Sequence, residues 1–294
     1  MKKKNNLKAW LYLLPAILFL GVFMIYPLID VCIYSVEENY ASIARTYTGI
    51  GLGNSRDVLS DSLFIQALKN TFILVAITVP VSTGLSLLIA LGLSSIKPLK
   101  KAFQTIYFLP YVTNTLAVGL VFMILFDKTE YTQGLVNLLL RTDIDFIDGA
   151  YWMKMMVTCL YTVWIVMPFK ILILTSALAS VNQEYYKAAK VDGASSARIF
   201  RKITLPMISP TVFYLIITGF IGAFKAYSDE VALFGTNLNA AGMNTIVGYV
   251  YDMLYSDTGG RYGNAAAAAL ILFAIVFTIT YINLKFSRNK VQYM

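Results

Sequence analysis

Six long apolar runs dominate this chain of 294 residues, at about 10–36, 70–96, 103–126, 153–180, 208–234 and 264–286. A bilayer core about 30 Å thick is crossed by roughly 20 apolar residues of helix, so each run is long enough to span it. Hydrophobic residues make up 58% of the chain and charged ones 14%, too few to cover the surface of a soluble domain of this length. The expected fold is therefore all-α and integral to the membrane, one transmembrane domain over 1–294 with about six helices. The first run follows Met1-Lys2-Lys3-Lys4, which also suits a signal-peptide start. Its length, its Pro15 and Pro27, and the lack of a small-residue cleavage pattern favour an uncleaved span. The last run carries Ala265 to Ala269, small residues that let membrane helices approach closely.

The net charge of +8 is a matter of topology. With six spans, both termini share one side with the second–third and fourth–fifth loops. That side holds Lys2, Lys3, Lys4, Lys8, Lys97, Lys100, Lys101, Lys187, Lys190, Arg198, Arg201, Lys202, Lys285, Arg288 and Lys290, with Glu184 and Asp192 as its acids. Lysine and arginine accumulate in cytoplasmic loops, so both termini are expected in the cytoplasm. The opposite loops are longer, about 37–69, 127–152 and 235–263, with room for short interfacial helices. Asp61 to Lys69 reads as one leading into the second span.

Absences narrow the chemistry. The chain has no histidine, which removes imidazole metal sites and histidine-based triads. Cys32 and Cys159 lie far apart in or near apolar runs and read as buried free thiols. No G-x-x-x-x-G-K-[ST] phosphate loop occurs. A membrane enzyme thus has no reaction centre to offer, whereas a transporter needs only a pathway and an energy source from outside the chain.

The segment 182–210 is the most informative. It reads as a short helix over Glu184–Val191, a sharp turn at Asp192-Gly193, and a second short helix capped by Ser195 or Ser196 that runs to about Ile203. Pro206 is expected to end that helix and Pro210 to open the next span. The product is a helix–turn–helix bracket at the membrane surface. Tyr185, Tyr186, Ala188 and Ala189 offer a knob for a partner's groove; alternatively the bracket is a basic amphipathic loop resting on anionic lipid.

These residues resemble the EAA loop of the permease subunits of binding-protein-dependent ABC sugar importers. Ala188, Ala189, Gly193, Ile203, Leu205 and Pro206 fall at that pattern's positions, and Asp192 to Ser195 with Phe200 extend the match toward its maltose and multiple-sugar branch. Gly51-Leu52-Gly53-Asn54, Asn70-Thr71, Phe108-Leu109-Pro110 and Tyr262-Gly263-Asn264-Ala265 look like further landmarks of that branch, in the right order along most of the chain. Two departures stand out. Lys187 replaces the family glutamate, so no salt bridge inferred from that glutamate carries over. Near 237–245 the chain lacks the Gly-Gly-Pro turn common in the family.

The resemblance implies a type I ABC importer transmembrane fold in a prokaryotic plasma membrane. It also implies a second homologous permease chain, a cytoplasmic ABC ATPase dimer that binds the ATP and magnesium, and an extracytoplasmic sugar-binding protein. The chain itself would hold no cofactor and no ATPase site. Its ATPase-coupling loop would comprise Glu184, Tyr185, Lys187, Ala188, Ala189, Asp192, Gly193, Leu205 and Pro206. For the sugar pathway the candidates are Tyr111, Asn114, Lys170, Lys225, Tyr227 and Asp229, with Glu230 a further charge in the fifth run. Lys225 and Asp229 are four residues apart, and an ion pair on one helix or snorkelling to the membrane interface is the simpler reading of them. Pro110 is placed to break the third span beside Tyr111 and Asn114. An ABC permease for glycerol phosphate or an amino acid, and an ion-coupled secondary transporter, are the rival readings.

Overall fold

In a computed structural model, residues 6–40, 45–96, 105–106, 109, 111–128, 133–255 and 261–290 are described. Among them five helices are long and apolar enough to cross a membrane: Lys8–Val36, Ser62–Ser95, Tyr151–Ser180, Ser196–Ala223 and Tyr262–Lys285. We call these the first, second, fourth, fifth and sixth spans. A shorter apolar helix, Thr115–Phe126, occupies the place of the third. The expected helix over 103–126 is not continuous, because Asn114 is extended and caps Thr115–Phe126 with its side chain, Oδ1 accepting from the Leu116 amide at 2.8 Å. Pro110 lies outside the described residues.

Two units are defined by their internal packing, residues 1–65 with 249–274, and 66–248 with 275–294. In the first unit the initial span ends in a two-residue antiparallel pairing, Glu37–Glu38 with Gly49–Ile50, followed by the helix Gly53–Ser60. Three carbonyls at this helix end, those of Tyr34, Ser35 and Glu37, accept from the buried Asn54 Nδ2 at 3.4, 3.1 and 2.9 Å. Asn54 thus serves carbonyls that a helix terminus otherwise leaves orphaned. A Cβ on Gly263 would lie 2.5 Å from Asn54 Nδ2, so the glycine makes room for the amide. Glu38 Oε1 accepts from the Gly53 amide at 2.8 Å, and a Cβ on Gly51 or Gly53 would strike the Glu38 carboxyl. The Gly51–Asn54 and Tyr262–Ala265 landmarks therefore meet in one knot. Ala265 to Ala268 are buried, as small residues allow.

The second unit is built on the fourth span, more than half buried along its apolar window. Tyr161 on this span donates to the Thr115 carbonyl at 2.8 Å and packs edge-on to Phe122, which fixes the short third helix against it. A second anchor joins Asn70 and Thr71 to the segment 242–246. Asn70 Nδ2 donates to the carbonyls of Gly242 and Asn244 at 3.0 and 2.8 Å, Tyr151 donates to Asn70 Oδ1 at 2.9 Å, and the Ile246 amide donates to Thr71 Oγ1 at 3.1 Å. Where the family's Gly-Gly-Pro turn was missing, Asn237 caps a short helix, Leu238–Ala241, that ends at Gly242 with φ +72°.

Several sequence expectations are corrected. The helix expected over Asp61–Lys69 leads into the second span as its own first turns and is not a separate interfacial helix: Asp61 caps the span, Oδ1 accepting from the Leu63 amide at 2.9 Å, and Ser62–Ser95 runs unbroken. The fifth span is Ser196–Ala223 rather than 208–234; it stops at Phe224, and a distinct helix, Ser228–Phe234, follows. Asp229 and Glu230 fall in that helix's first turn, where its positive end favours carboxylates. Lys225, Asp229 and Glu230 already interrupt the outer end of the run in the sequence, and the structure places the break among them. Gly119 and Ala232 set the short helix against Thr115–Phe126, since a Cβ on Gly119 would meet the Ala232 carbonyl oxygen at 2.9 Å. Of the two free cysteines, Cys159 is buried as expected and Cys32 is exposed.

Candidate functional site

The bracket forms as its residues suggest, with one change at its end. Asn182 caps the helix Gln183–Val191 by accepting from the Glu184 amide at 2.9 Å. That helix stops at Asp192; Gly193 takes φ +72°, a left-handed conformation open to glycine, and the Ala194 amide donates to the Ala189 carbonyl at 2.9 Å. Ser195 caps the second arm, its Oγ accepting from the Arg198 amide at 3.4 Å. Lys187, in the family glutamate's place, donates to Glu184 Oε1 at 2.8 Å on the exposed surface. Such a pair adds little stability, but it neutralises the arm locally.

Pro206 does not end the second arm. Ser196–Ile199 passes into a π-turn, Phe200–Thr204, and on into Leu205–Ala223 with Pro206 in the first turn and Pro210 inside. Proline has no N–H, so the carbonyl four residues before Pro206 loses its usual partner. The chain absorbs this by widening one turn, the Leu205 amide reaching back five residues to the Phe200 carbonyl. The first span repeats the device: a π-turn at Gly21–Ile25, the Tyr26 amide bonded to the Gly21 carbonyl, then Pro27. The bracket's second arm and the fifth span are thus one helix. The two arms are tied where Thr204 Oγ1 donates to the Tyr186 hydroxyl at 3.3 Å. Tyr186 is half-buried, whereas Tyr185 is 50% exposed and Val191 87% exposed, an apolar edge left uncovered.

The pathway candidates separate. Tyr111 and Lys170 line a cavity of about 200 Å³ among the second, fourth and fifth spans, together with Ser82, Phe169, Thr218 and Gly222. The Tyr111 and Phe169 rings stack 5.5 Å apart. Lys170 is 5% exposed and donates to Ser82 Oγ at 2.7 Å and Thr83 Oγ1 at 2.9 Å. Ser82 passes its own proton to the Thr78 carbonyl, so its oxygen is turned to the ammonium. Asn114, Lys225, Tyr227 and Asp229 are not among the residues lining this cavity. Asn114 is a helix cap, Tyr227 precedes the helix Ser228–Phe234, and Lys225 is exposed in the turn after the fifth span. The expected Lys225–Asp229 ion pair is absent: the two residues lie on different elements, and no carboxylate stands within 4.0 Å of Lys225 among the described residues. Glu230 is fully buried, with neither carboxyl oxygen hydrogen-bonded.

Sequence reasoning missed Ser82, Thr83 and Gly219. A signal was present in the hydroxyls at 78, 82 and 86, one helical turn apart in an otherwise apolar run. Their meaning depended on a lysine 88 residues away.

The chain belongs to the binding-protein-dependent transport system inner membrane component family, whose sequence pattern covers residues 82–291. It is 30% identical to the probable ABC transporter permease protein MG188 of Mycoplasma genitalium, over 91% of this chain and 82% of that protein. It is 27% identical to the lactose transport system permease protein LacF of Rhizobium radiobacter, over 99% and 97%. Among solved structures, a chain of the bacterial alginate ABC transporter in complex with its alginate pentasaccharide-bound periplasmic protein has the same fold, with a TM-score of 0.83 at 22% identity over 99% of this chain and 98% of that one. The protein is a multi-pass membrane permease component.

Proposed function

We propose that this chain is the permease subunit of an ATP-driven carbohydrate importer, contributing half of the translocation pathway beside a second, homologous permease. The observation that carries the reading is the bracket at 183–204, capped at both arms, exposed along Tyr185 and Val191, and continuous with the fifth span. Its arms lie on the side where lysine and arginine accumulate, the cytoplasmic one. A cytoplasmic ATPase dimer binds ATP and magnesium, and one of its subunits seats the bracket. Closure of that dimer moves the bracket and, through it, the fifth span, which switches the pathway between inward-open and outward-open states. Glu184, Tyr185, Lys187, Ala188, Ala189, Asp192 and Gly193 form the docking face, while Leu205 and Pro206 transmit its movement. An extracytoplasmic binding protein delivers the sugar. Relatives that carry lactose, arabinooligosaccharides or multiple sugars in their names support a carbohydrate, and one named for sn-glycerol-3-phosphate widens the class.

The test is co-purification from native membranes through a tag on this chain, followed by reconstitution of the recovered complex. An ATPase and a second permease should co-purify, and uptake should need ATP on the bracket's side. Gly193→Asp, which forces a side chain onto a positive-φ position in the docking face, should remove the ATPase from the complex. Transport by the chain alone under an ion gradient would overturn the proposal.

A further inference from the structure

The fourth span buries a lysine that, among the described residues, has no negative partner. Lys170 is held by two hydroxyls, and among the described residues no carboxylate lies within 4.0 Å of it. An ammonium has three N–H donors, and Ser82 and Thr83 take two. Hydroxyls satisfy hydrogen bonds but leave the charge uncompensated, an expensive state inside a membrane protein and one that marks a functional group. Space is reserved around the group as well. A Cβ on Gly219 of the fifth span would come within 3.3 Å of Lys170 Nζ, and a Cβ on Gly222 would meet nothing within 4 Å. Lys170 therefore faces a small cavity whose other walls include the stacked Tyr111 and Phe169 rings.

An aromatic wall suits the apolar face of a sugar ring, and a fixed cation beside it suits an anionic substituent on that ring. At about 200 Å³ the cavity is smaller than the roughly 300–1,000 Å³ of drug-sized sites, so it takes one unit of a chain at a time. Resting on the carbohydrate-import reading above, we infer that Lys170 is a specificity-determining residue that selects sugars bearing an anionic group, a uronic-acid carboxylate or a sugar phosphate. Ser82 and Thr83 hold the ammonium in place, and the anion completes its third hydrogen bond and its charge balance together.

The test uses the complete importer with its own binding protein in proteoliposomes containing ATP. Uptake is compared for disaccharide pairs that differ in one hexose or its uronic acid, and for pairs of a sugar and its phosphate, which separates the two anion sources. The acidic member of at least one pair should be preferred. Lys170→Met should lower the acidic-to-neutral uptake ratio about tenfold or more, as loss of a charge-assisted hydrogen bond implies, and Lys170→Arg should retain most of it. Uptake of neutral members alone by the unaltered complex would overturn the inference without any variant having to fold, as would an unchanged ratio in Lys170→Met. If no carbohydrate of either kind is imported, the import reading itself fails.

Discussion

Asn54 and Gly263 are complementary: the amide of one fills the space that the missing side chain of the other leaves, 2.5 Å from where a Cβ would stand. Asn54→Ala should strip the donor from three carbonyls at the end of the first span and destabilise the protein by about 1–3 kcal/mol. Gly263→Ala should cost a similar amount, about 1–3 kcal/mol, by overpacking. Thermal unfolding in detergent reads both. The two changes touch the same contact, so the double variant should lose less than the sum of the single losses.

Asn70 anchors the segment 242–246 through two carbonyls and takes a third bond from Tyr151. Asn70→Leu should release that segment while the second span stays helical. Amide exchange at 242–246 should rise at least tenfold, with little change over 74–90. Unaltered exchange there would show that Thr71 alone suffices.

Tyr249 is 1% exposed and donates to Asp61 Oδ2 at 2.8 Å. Burial, followed by the Asp61 carboxylate, raises its phenol above the usual value of 10.0. A raised acid favours its neutral form when folded, so the stability it brings is fully present below pH 10 and is lost as pH rises beyond it. Melting temperature should therefore show no Tyr249 contribution to its pH dependence between pH 6 and 9 and a fall above about pH 10. Tyr249→Phe should melt lower at neutral pH and show a shallower alkaline fall.

Pro206→Ala returns an N–H that can bond the Lys202 carbonyl, so the π-turn at Phe200–Thr204 is free to tighten into α-helix. Each residue of a helix turns about 100°, so drawing one residue back into register rotates the bracket against the fifth span. Stability should hold or rise, yet ATP-driven uptake should fall several-fold while ATP hydrolysis continues. Full coupling in this variant would show that the bracket's azimuth is immaterial.

Much of this was legible in the sequence because lipid imposes simple rules. Apolar length marked the first, second, fourth and sixth spans, and Gly193 with a serine cap at 195 or 196 marked the bracket's turn, whereas the Asn182 cap was not read. What failed to read were features that hydropathy cannot register. The joint after Ala223 showed only as charges, Lys225, Asp229 and Glu230, which do not by themselves tell a helix end from a charged stretch of span. Pro206 looked like a terminator because its missing N–H was expected to end a helix, when one widened turn accommodates it. Lys170 and Lys225 looked alike as charges in apolar runs, and it took Ser82, Thr83 and Gly219 from two other helices to set them apart. The landmarks at 51–54 and 263 were visible as motifs, but that they address each other was not.

The unbroken helix from Ser196 to Ala223 has a further consequence. A hinge between bracket and span would let one relax while the other moved, and energy received at one end would leak away as local bending. One continuous helix has no loop to take up such slack, and binding equilibria at its two ends are then bound by reciprocity. On the import reading proposed above, a solute that prefers one tilt of Gly219 and Gly222 alters the grip of a partner seated on the arm that begins at Ser196, by the same factor as that grip alters the solute's affinity. The end at Ala223 can then report occupancy to the end at Ser196 with no messenger besides the helix itself.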